Sequence, residues 1–139
     1  MFFEDLSVGM RAETTKTIGE NEVVGFADIS DDKNPIHLSY EYASTTKFGR
    51  CIAHGLISAG LISGVLGMKL PGSGAIWVYQ TLAFKAPVYV GDTVTASVEI
   101  KKLEPLRHRA YLKCECRVDG LTVLDGEAVV SVPRRPKES

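Results

Sequence analysis

The sequence predicts an α+β domain, with one buried helix followed by a run of antiparallel strands. Residues 54–69 carry no charge between their first and last positions and place apolar or small residues on every helical face, which is typical of a helix buried all round. From residue 75 onward, apolar and polar residues alternate in segments separated by turn residues, as in half-buried strands. Strands that follow one helix in this way indicate an α+β architecture.

The composition fits a single globular domain and excludes several other classes. The chain has 139 residues, of which 45% are apolar and 24% charged, values close to those of ordinary globular proteins. Its net charge of −1 lacks the basic excess of a nucleic-acid-binding protein. Residues 54–69 are too short to cross a membrane, which takes roughly 20 apolar residues. We expect one domain over 1–139, with a core at 2–132 and a flexible tail at 133–139.

The cysteines and the N-terminus favour a cytoplasmic protein. Cys114 and Cys116 are too close in sequence for an ordinary disulfide, and Cys51 is distant from both. We therefore expect reduced thiols that pack as small apolar residues. The first residues include acids and lack the basic and apolar progression of a secretion signal. The sequence holds no group of ligands at metal-binding spacing, so we predict no metal.

The first half of the chain predicts one strand and two helices around a proline corner. Residues 10–18 contain three threonines and predict a strand that ends at Gly19. Residues 20–29 carry an apolar stripe with acids in the first turn, which predicts a helix. Pro35 must stop that helix and make a rigid loop. Ser39 is a suitable N-cap for a short helix after the loop.

The second half predicts the buried helix and the sheet. The helix at 54–69 contains four glycines, which would weaken an exposed helix by up to about 1 kcal/mol each, so we expect another surface to approach it closely. We expect His54 at its start to pack or cap rather than to react. The Asp119-Gly120 pair predicts a tight hairpin and Gly126 a bulge in the returning strand. Aromatic residues of the strands are expected to pack in the core. The predicted strands span residues 76–84, 93–103, 109–118 and 121–132.

The reactive residue types are concentrated between residues 29 and 43. Asp32 and His37 stand on either side of Asn34-Pro35, where a turn could fold the carboxylate and the imidazole toward a shared water. The same residue types also make ordinary turns, since Asp and Asn beside a proline bond their own backbone and a lone histidine is often structural. The residues alone leave the catalytic and the structural interpretation open.

Three motifs resemble those of the hydratase-2 or MaoC-like branch of hot-dog proteins. They are DKNPIH at 32–37, HG at 54–55 opening a glycine-rich helix, and FKAPVYVGD at 84–92. The likeness covers about residues 2–132 and is greatest to the short, single-domain (R)-specific enoyl-CoA hydratases of polyhydroxyalkanoate supply. It implies a hot-dog fold, in which a curved antiparallel sheet wraps a long central helix and short overhang helices carry the catalytic loop. It also implies a homodimer whose two sheets join edge to edge.

The resemblance also implies site residues. Asp32 and His37 match the family's catalytic pair, and either of them fits the role of formal acid. The implied substrate-binding residues are Gly55, whose N–H suits the thioester carbonyl, Ser63 near the pair, Asn34 orienting the loop, and Leu66 in the acyl pocket. Ser63 and Leu66 fit ordinary helix packing equally well.

The activity implied by the resemblance is reversible (R)-specific hydration of trans-2-enoyl-CoA to (R)-3-hydroxyacyl-CoA. Short acyl chains, such as that of crotonyl-CoA, are the expected substrates, and no cofactor is expected because CoA is part of the substrate. Three alternatives stay open: a branched or carboxylated enoyl-CoA, an enoyl thioester of acyl-carrier protein, and a non-catalytic acyl-CoA-binding module. A thioesterase, or a dehydratase that pairs a histidine with a helix glutamate, is disfavoured because residues 55–68 contain no acid.

Overall fold

The structure is a computed structural model and describes residues 1–137, which form four helices and six strands after a short 3₁₀ turn at Phe3–Asp5. The helices are α1 (Glu20–Ser30), α2 (Pro35–Leu38), α3 (Tyr40–Ser44) and α4 (Gly55–Met68). The strands are β1 (Arg11–Thr17), β2 (Ile76–Gln80), β3 (Ala83–Phe84), β4 (Thr93–Glu104), β5 (Arg109–Val118) and β6 (Leu121–Ser131). In the described part of the chain, no helix is both long and apolar enough to span a membrane.

All six strands join one antiparallel sheet that packs against α4. The strand order is β1-β4-β5-β6-β2, with β3 paired to β6. Helix α4 contacts β4, β1, β5 and β2, so the longest helix covers one face of the sheet. The predicted α+β architecture is confirmed. The predicted strand at 76–84 is two short strands, β2 and β3, and the other predicted strands agree with the observed ones to within a few residues.

The core lies between α4 and the long strands. On β4, Val94, Ala96, Val98 and Ile100 alternate inward and are buried, because successive side chains of a strand point to opposite faces. Each such valine contributes roughly 1.5 to 3 kcal/mol of burial free energy. The facing side chains of α4 are Ile62, Val65 and Leu66, all in the same cluster.

The cysteines of β5 belong to this core. Cys114 and Cys116 are buried free thiols, and burial raises the pKa of Cys114 to about 11 and that of Cys116 to about 12. Neither thiol is therefore a nucleophile near neutral pH. The prediction that they pack as small apolar residues is confirmed.

Helix α4 is not buried all round, which corrects the prediction. One side of it is bare in the single chain: Leu56 is 55% and Met68 81% exposed. A Cβ added at Gly60, Gly64 or Gly67 would meet no described atom within 4 Å outside the helix's own nearby backbone. We call this side the open face of α4; its residues are Leu56, Gly60, Ser63, Gly64, Gly67 and Met68. The helix sequence is apolar on every side, but the sheet covers only part of it.

Two predictions about β6 and the aromatic residues are wrong. The extra residue of β6 is Val123, since Arg117 pairs with Thr122 and Cys116 with Leu124. Gly126 stays in register, and it is a glycine because an added Cβ would lie 1.8 Å from the carbonyl oxygen of Thr81. The aromatic side chains Trp77, Tyr79 and Phe84 are exposed rather than packed in the core.

The Asp119-Gly120 hairpin is confirmed. It has positive φ at both residues, 49° and 79°, as a tight two-residue turn requires. The turn joins β5 to β6 and fixes the register of their pairing next to it.

The last described residues contact the N-terminal turn, while the flexible tail expected from residue 133 stays a prediction. The Phe3 N–H donates to the Pro133 carbonyl over 2.8 Å, and the Arg135 N–H donates to Glu4 Oε1 over 2.7 Å. The Arg135 guanidinium also pairs with Asp5. The Arg135 N–H holds the pKa of Glu4 below its ordinary range, and the Phe2 N–H, followed by the Arg135 guanidinium, lowers the pKa of Asp5 in the same way. These contacts join the chain, as far as residue 135, to the N-terminal turn at Phe3–Asp5. Residues 138–139 lie outside the described part.

Candidate active site

The end of α1 sets the position of Asp32. Asp31 adopts a left-handed conformation with φ 60°, which turns the chain out of the helix. The hydroxyl of Ser30 donates to the Phe26 carbonyl and accepts the Asp32 N–H over 3.1 Å. Asp32 Oδ1 in turn accepts the Asn34 N–H over 3.2 Å, so the carboxylate is tied to its own loop while half exposed.

His37 lies on a one-turn helix rather than in the rigid loop that the sequence predicted. Asn34 is the N-cap of α2 and accepts the Ile36 N–H on Oδ1 over 3.2 Å, with Pro35 at the first helical position. Asparagine is a strong N-cap, and proline fits the first position because no acceptor is needed for its missing N–H. Helix α1 thus ends at Ser30, ahead of the Asn34-Pro35 corner, and the corner starts α2.

The ring of His37 is oriented toward Asp32. Its Nδ1 lies 2.7 Å from the carbonyl oxygen of Ile52, and a carbonyl can only accept, so Nδ1 carries the hydrogen. In the neutral ring Nε2 then carries no hydrogen and has a free lone pair. The Nε2 atom lies 3.9 Å from Asp32 Oδ2. This separation is too long for a direct hydrogen bond and suits a bridging water. The side chain of His37 is only 11% exposed.

The side chain of His54 is buried against Phe26, Asp32 and His37. It is 4% exposed, and its Nε2 lies 2.9 Å from the main-chain carbonyl oxygen of Asp32. Its ring stacks on Phe26 at 4.8 Å and on His37 at 3.8 Å between centroids. The sequence predicted packing or capping at this position; the ring does pack, but it makes no cap hydrogen bond to α4.

A cavity of about 380 Å³ opens beside His37. Its lining includes Gly55 and Ser58 of α4 and the apolar side chains of Phe84, Pro87 and Val88. Gly55 is the first residue of α4, so its N–H has no acceptor within the helix and lies at the positive end of the helix dipole. An added Cβ at Gly55 would lie 2.5 Å from the Phe84 ring. The close approach predicted for the helix glycines is found here. We call Asp32, His37, His54 and Gly55 the polar corner.

The polar corner is poorly arranged for a metal ion. Asp32, His37 and His54 each have one possible ligand atom, and these three atoms lie within 4.8 Å of one another. The two imidazoles are stacked, however, and the lone pair of an imidazole nitrogen lies in its own ring plane, so the two lone pairs do not converge. His54 Nε2 is also the donor to a carbonyl. The absence of a metal stays a prediction.

The comparisons with known proteins decide the family. A family model described as a MaoC like domain matches residues 5–115, most of the chain. The chain belongs to the MaoC-like domain family. The resemblance carried by the three sequence motifs is therefore confirmed.

Several MaoC-like relatives match over nearly the whole chain. A "3-hydroxybutyryl-CoA dehydratase" of Methylorubrum extorquens is 54% identical over 97% of this chain and 86% of its own length. An "(R)-specific enoyl-CoA hydratase" of Rhodospirillum rubrum is 50% identical over 96% of this chain and 93% of its own. The solved (R)-hydratase of A. caviae, described as involved in PHA biosynthesis, superposes with a TM-score of 0.92 at 45% identity, covering 94% and 99% of the two chains. The predicted hot-dog fold is confirmed by this match.

Two predicted residues of the MaoC-like site lie away from the polar corner. Ser63 is on the open face of α4, eight residues from Gly55 and so roughly 12 Å along the helix axis. Leu66 is 3% exposed and belongs to the core. Among the described residues that line the cavity beside His37, neither Ser63 nor Leu66 is included. Their roles, and substrate binding by Asn34, whose amide oxygen caps α2, stay predictions.

Proposed function

We propose that this MaoC-like chain hydrates trans-2-enoyl-CoA to (R)-3-hydroxyacyl-CoA and catalyses the reverse dehydration. One observation carries the proposal: the free Nε2 of His37 faces the Asp32 carboxylate at 3.9 Å, beside an apolar cavity that reaches the start of a helix. Hydration of an enoyl thioester needs an activated water, a proton for C2 and a donor to the thioester oxygen. The names of the relatives point to the same chemistry.

The first step would take place at the catalytic pair. A water held between Asp32 and His37 gives a proton to His37 Nε2, and its oxygen forms a bond to C3 of the substrate. The π bond between C2 and C3 breaks, and its electrons move toward the thioester oxygen to give an enolate, while the C2–C3 single bond remains. The pair then returns one proton to C2, so that one water is added and both residues end in their starting states.

Gly55 would stabilise the charge that develops on the thioester oxygen. Its N–H is the first of α4, where an unpaired donor and the helix dipole both favour an anion. Because Gly55 has no side chain, a substrate oxygen can come close to the N–H.

The space around His37 is compatible with an acyl-CoA thioester. The cavity of about 380 Å³ on one side is mainly apolar and would take a short acyl chain. His37 also borders a second cavity of about 340 Å³, which Arg50 and Tyr40 help to line. A thioester has an acyl arm and a pantetheine arm, and two cavities that meet at the imidazole give room for both. We propose short-chain substrates such as crotonyl-CoA and no separate cofactor.

We also propose that the chain works as a homodimer. Strand β2 ends the sheet, and its side chains Ile76, Val78 and Tyr79 are exposed. An exposed apolar edge strand and a bare helix face are both surfaces that a folded protein normally covers. A second copy, joined through β2, would cover both. The three free thiols support the proposed cytoplasmic location, where cysteines stay reduced.

The proposal is tested by mixing the purified protein with crotonyl-CoA and following the absorbance of the conjugated enoyl thioester. We expect the absorbance to fall and chiral analysis to identify (R)-3-hydroxybutyryl-CoA. Formation of the (S)-product would contradict the stereochemistry. If the absorbance is unchanged, longer, branched and carrier-protein-bound enoyl thioesters are assayed next. Binding of all of them without turnover would favour a non-catalytic acyl-CoA-binding module.

A further inference from the structure

We infer that His54 is a positioning residue, whose Nε2–H holds the main chain at Asp32 and whose ring face holds the imidazole of His37. The inference rests on the proposed function, because it concerns the two groups that would activate water. One buried side chain contacts both of them and directly precedes Gly55 in the chain. It thus links three parts of the proposed site.

The hydrogen bond to Asp32 fixes which proton His54 carries. The carbonyl of Asp32 can only accept, so Nε2, 2.9 Å away, is the donor. Nδ1 is buried and has no hydrogen-bond partner among the described residues. A second proton there would add a buried charge and an unpaired N–H, both of which are costly. The geometry therefore calls for the neutral ring with hydrogen on Nε2.

The stack restricts how His37 can turn. The hydrogen bond from His37 Nδ1 to Ile52 fixes one corner of that ring, but the ring could still pivot about it. The face of His54, 3.8 Å away, blocks this motion on one side. The ring of Phe26 also stacks on His54, with 4° between the two ring planes, and restricts the movement of His54. Ile52 and His54 together determine where His37 Nε2 points.

The two contacts of His54 can be removed one at a time. In His54→Phe the flat ring and the stack are kept, whereas the N–H to Asp32 is lost. In His54→Gln an amide N–H can reach about as far as Nε2 does, whereas the ring is lost. If His54 were only a space-filling core residue, the phenylalanine variant would be fully active.

His108 provides matched control variants. It is a half-buried histidine whose Nδ1 lies 2.5 Å from a main-chain carbonyl oxygen, that of Val132. It is not among the residues of the polar corner or its cavity. His108→Phe and His108→Gln therefore make the same side-chain replacements at a remote position. Because His108 has φ 44° and His54 has φ −59°, the unfolding temperature of each His54 variant is measured as well.

The experiment measures kcat and KM for crotonyl-CoA in the wild type, both His54 variants, both His108 variants and Asp32→Asn. We expect each His54 variant to lose roughly 10- to 100-fold in kcat, the scale of a misplaced catalytic group, with little change in KM. The His108 variants should keep kcat within about twofold of the wild type. If both His54 variants also stay within about twofold while Asp32→Asn is inactive, His54 does not position the pair and the proposed function stands. If the wild type turns over no enoyl thioester, the proposed function is wrong, and so is the inference that His54 positions its catalytic pair.

A second measurement needs neither turnover nor a folded variant. In the wild type labelled with ¹⁵N-histidine, NMR reports which ring nitrogen of each histidine carries hydrogen. We expect His54 to show protonated Nε2 and unprotonated Nδ1 at neutral pH. Hydrogen on Nδ1 alone, or on both nitrogens, would overturn the inference.

Discussion

The polar corner meets α4 at its first residue and the open face runs along the same helix, but the two regions differ in what surrounds them. In the corner, each group is held by others of the same chain: Asp32 by Asn34 and His54, and His37 by Ile52. On the open face, a Cβ added at any of three glycines would meet no described atom within 4 Å outside the helix's own nearby backbone. The difference teaches that a single chain places its proposed reactive groups by itself, whereas it leaves part of the helix uncovered, which the proposed homodimer would cover. Substitutions in the corner should therefore change activity, and those near the open face should change assembly.

The largest effect is expected from the catalytic pair. Asp32→Asn and His37→Gln should each lower kcat at least about 100-fold, since general acid–base groups contribute on that scale. Steady-state kinetics with crotonyl-CoA measures the loss, and gel filtration with light scattering should show unchanged assembly. Asp28→Asn, an exposed acid on α1, is the control and should remain active. A nearly active and well-folded Asp32→Asn or His37→Gln would mean that the pair is assigned wrongly.

The second effect would appear in assembly. If two copies join through β2, a two-fold interface brings like side chains near each other, so Val78→Lys should raise the dimer dissociation constant at least about tenfold. Sedimentation velocity over a range of concentrations measures this constant. Thr15→Lys, on the polar edge strand β1 at the other end of the sheet, should leave it unchanged. A Val78→Lys protein that dimerises like the wild type would place the interface elsewhere.

The two kinds of glycine on α4 can be compared directly. Gly55→Ala should reduce kcat by about tenfold or more, because the added methyl displaces Phe84 and crowds the proposed oxyanion donor. Gly60→Ala in the Val78→Lys background should instead raise the free energy of unfolding by up to about 1 kcal/mol, since alanine favours a helix and nothing nearby opposes its Cβ. Kinetics and urea denaturation test the two halves. A destabilised Gly60→Ala monomer would show that the open face is covered within one chain.

The smallest effect is expected at Asp31. It has φ 60° and ends α1, so Asp31→Gly would relieve an unfavourable backbone conformation and remove a carboxylate from a helix C-terminus. We expect the free energy of unfolding to rise by about 1 kcal/mol. Urea denaturation measures it, with Asp28→Asn as the comparison. A decrease would indicate that the Asp31 side chain stabilises the loop.

The sequence predicted the fold well because its patterns are local. Alternation on β4 and β5 and the turn at Asp119-Gly120 each depend on a few neighbouring residues. The burial of α4 depends on distant strands, and a helix that is apolar all round looks the same whether its own sheet or a partner covers it. The same reason explains the exposed aromatic residues of β2.

The residues of the candidate site could be predicted from the sequence, but the contacts that hold them in place could not. Asp32, His37 and Gly55 could be named from motifs. The carbonyl of Ile52 that orients His37 belongs to the main chain, so no residue type signals it. His54 lies 22 residues from Asp32, and a histidine before a glycine does not reveal which carbonyl its ring will reach. The available signal was that the histidine precedes the glycine at the start of an apolar helix.

The hydrogen bond between Phe3 and Pro133 brings the two ends of the fold together. A short linker could therefore join them, and new ends could be opened at the Asp119-Gly120 turn, which lies on the surface. Such a circular permutant would keep every strand pairing and the polar corner, but it would make β5 and β6 the last and first elements of the chain. It would separate the order in which the elements are synthesised from the architecture that they form.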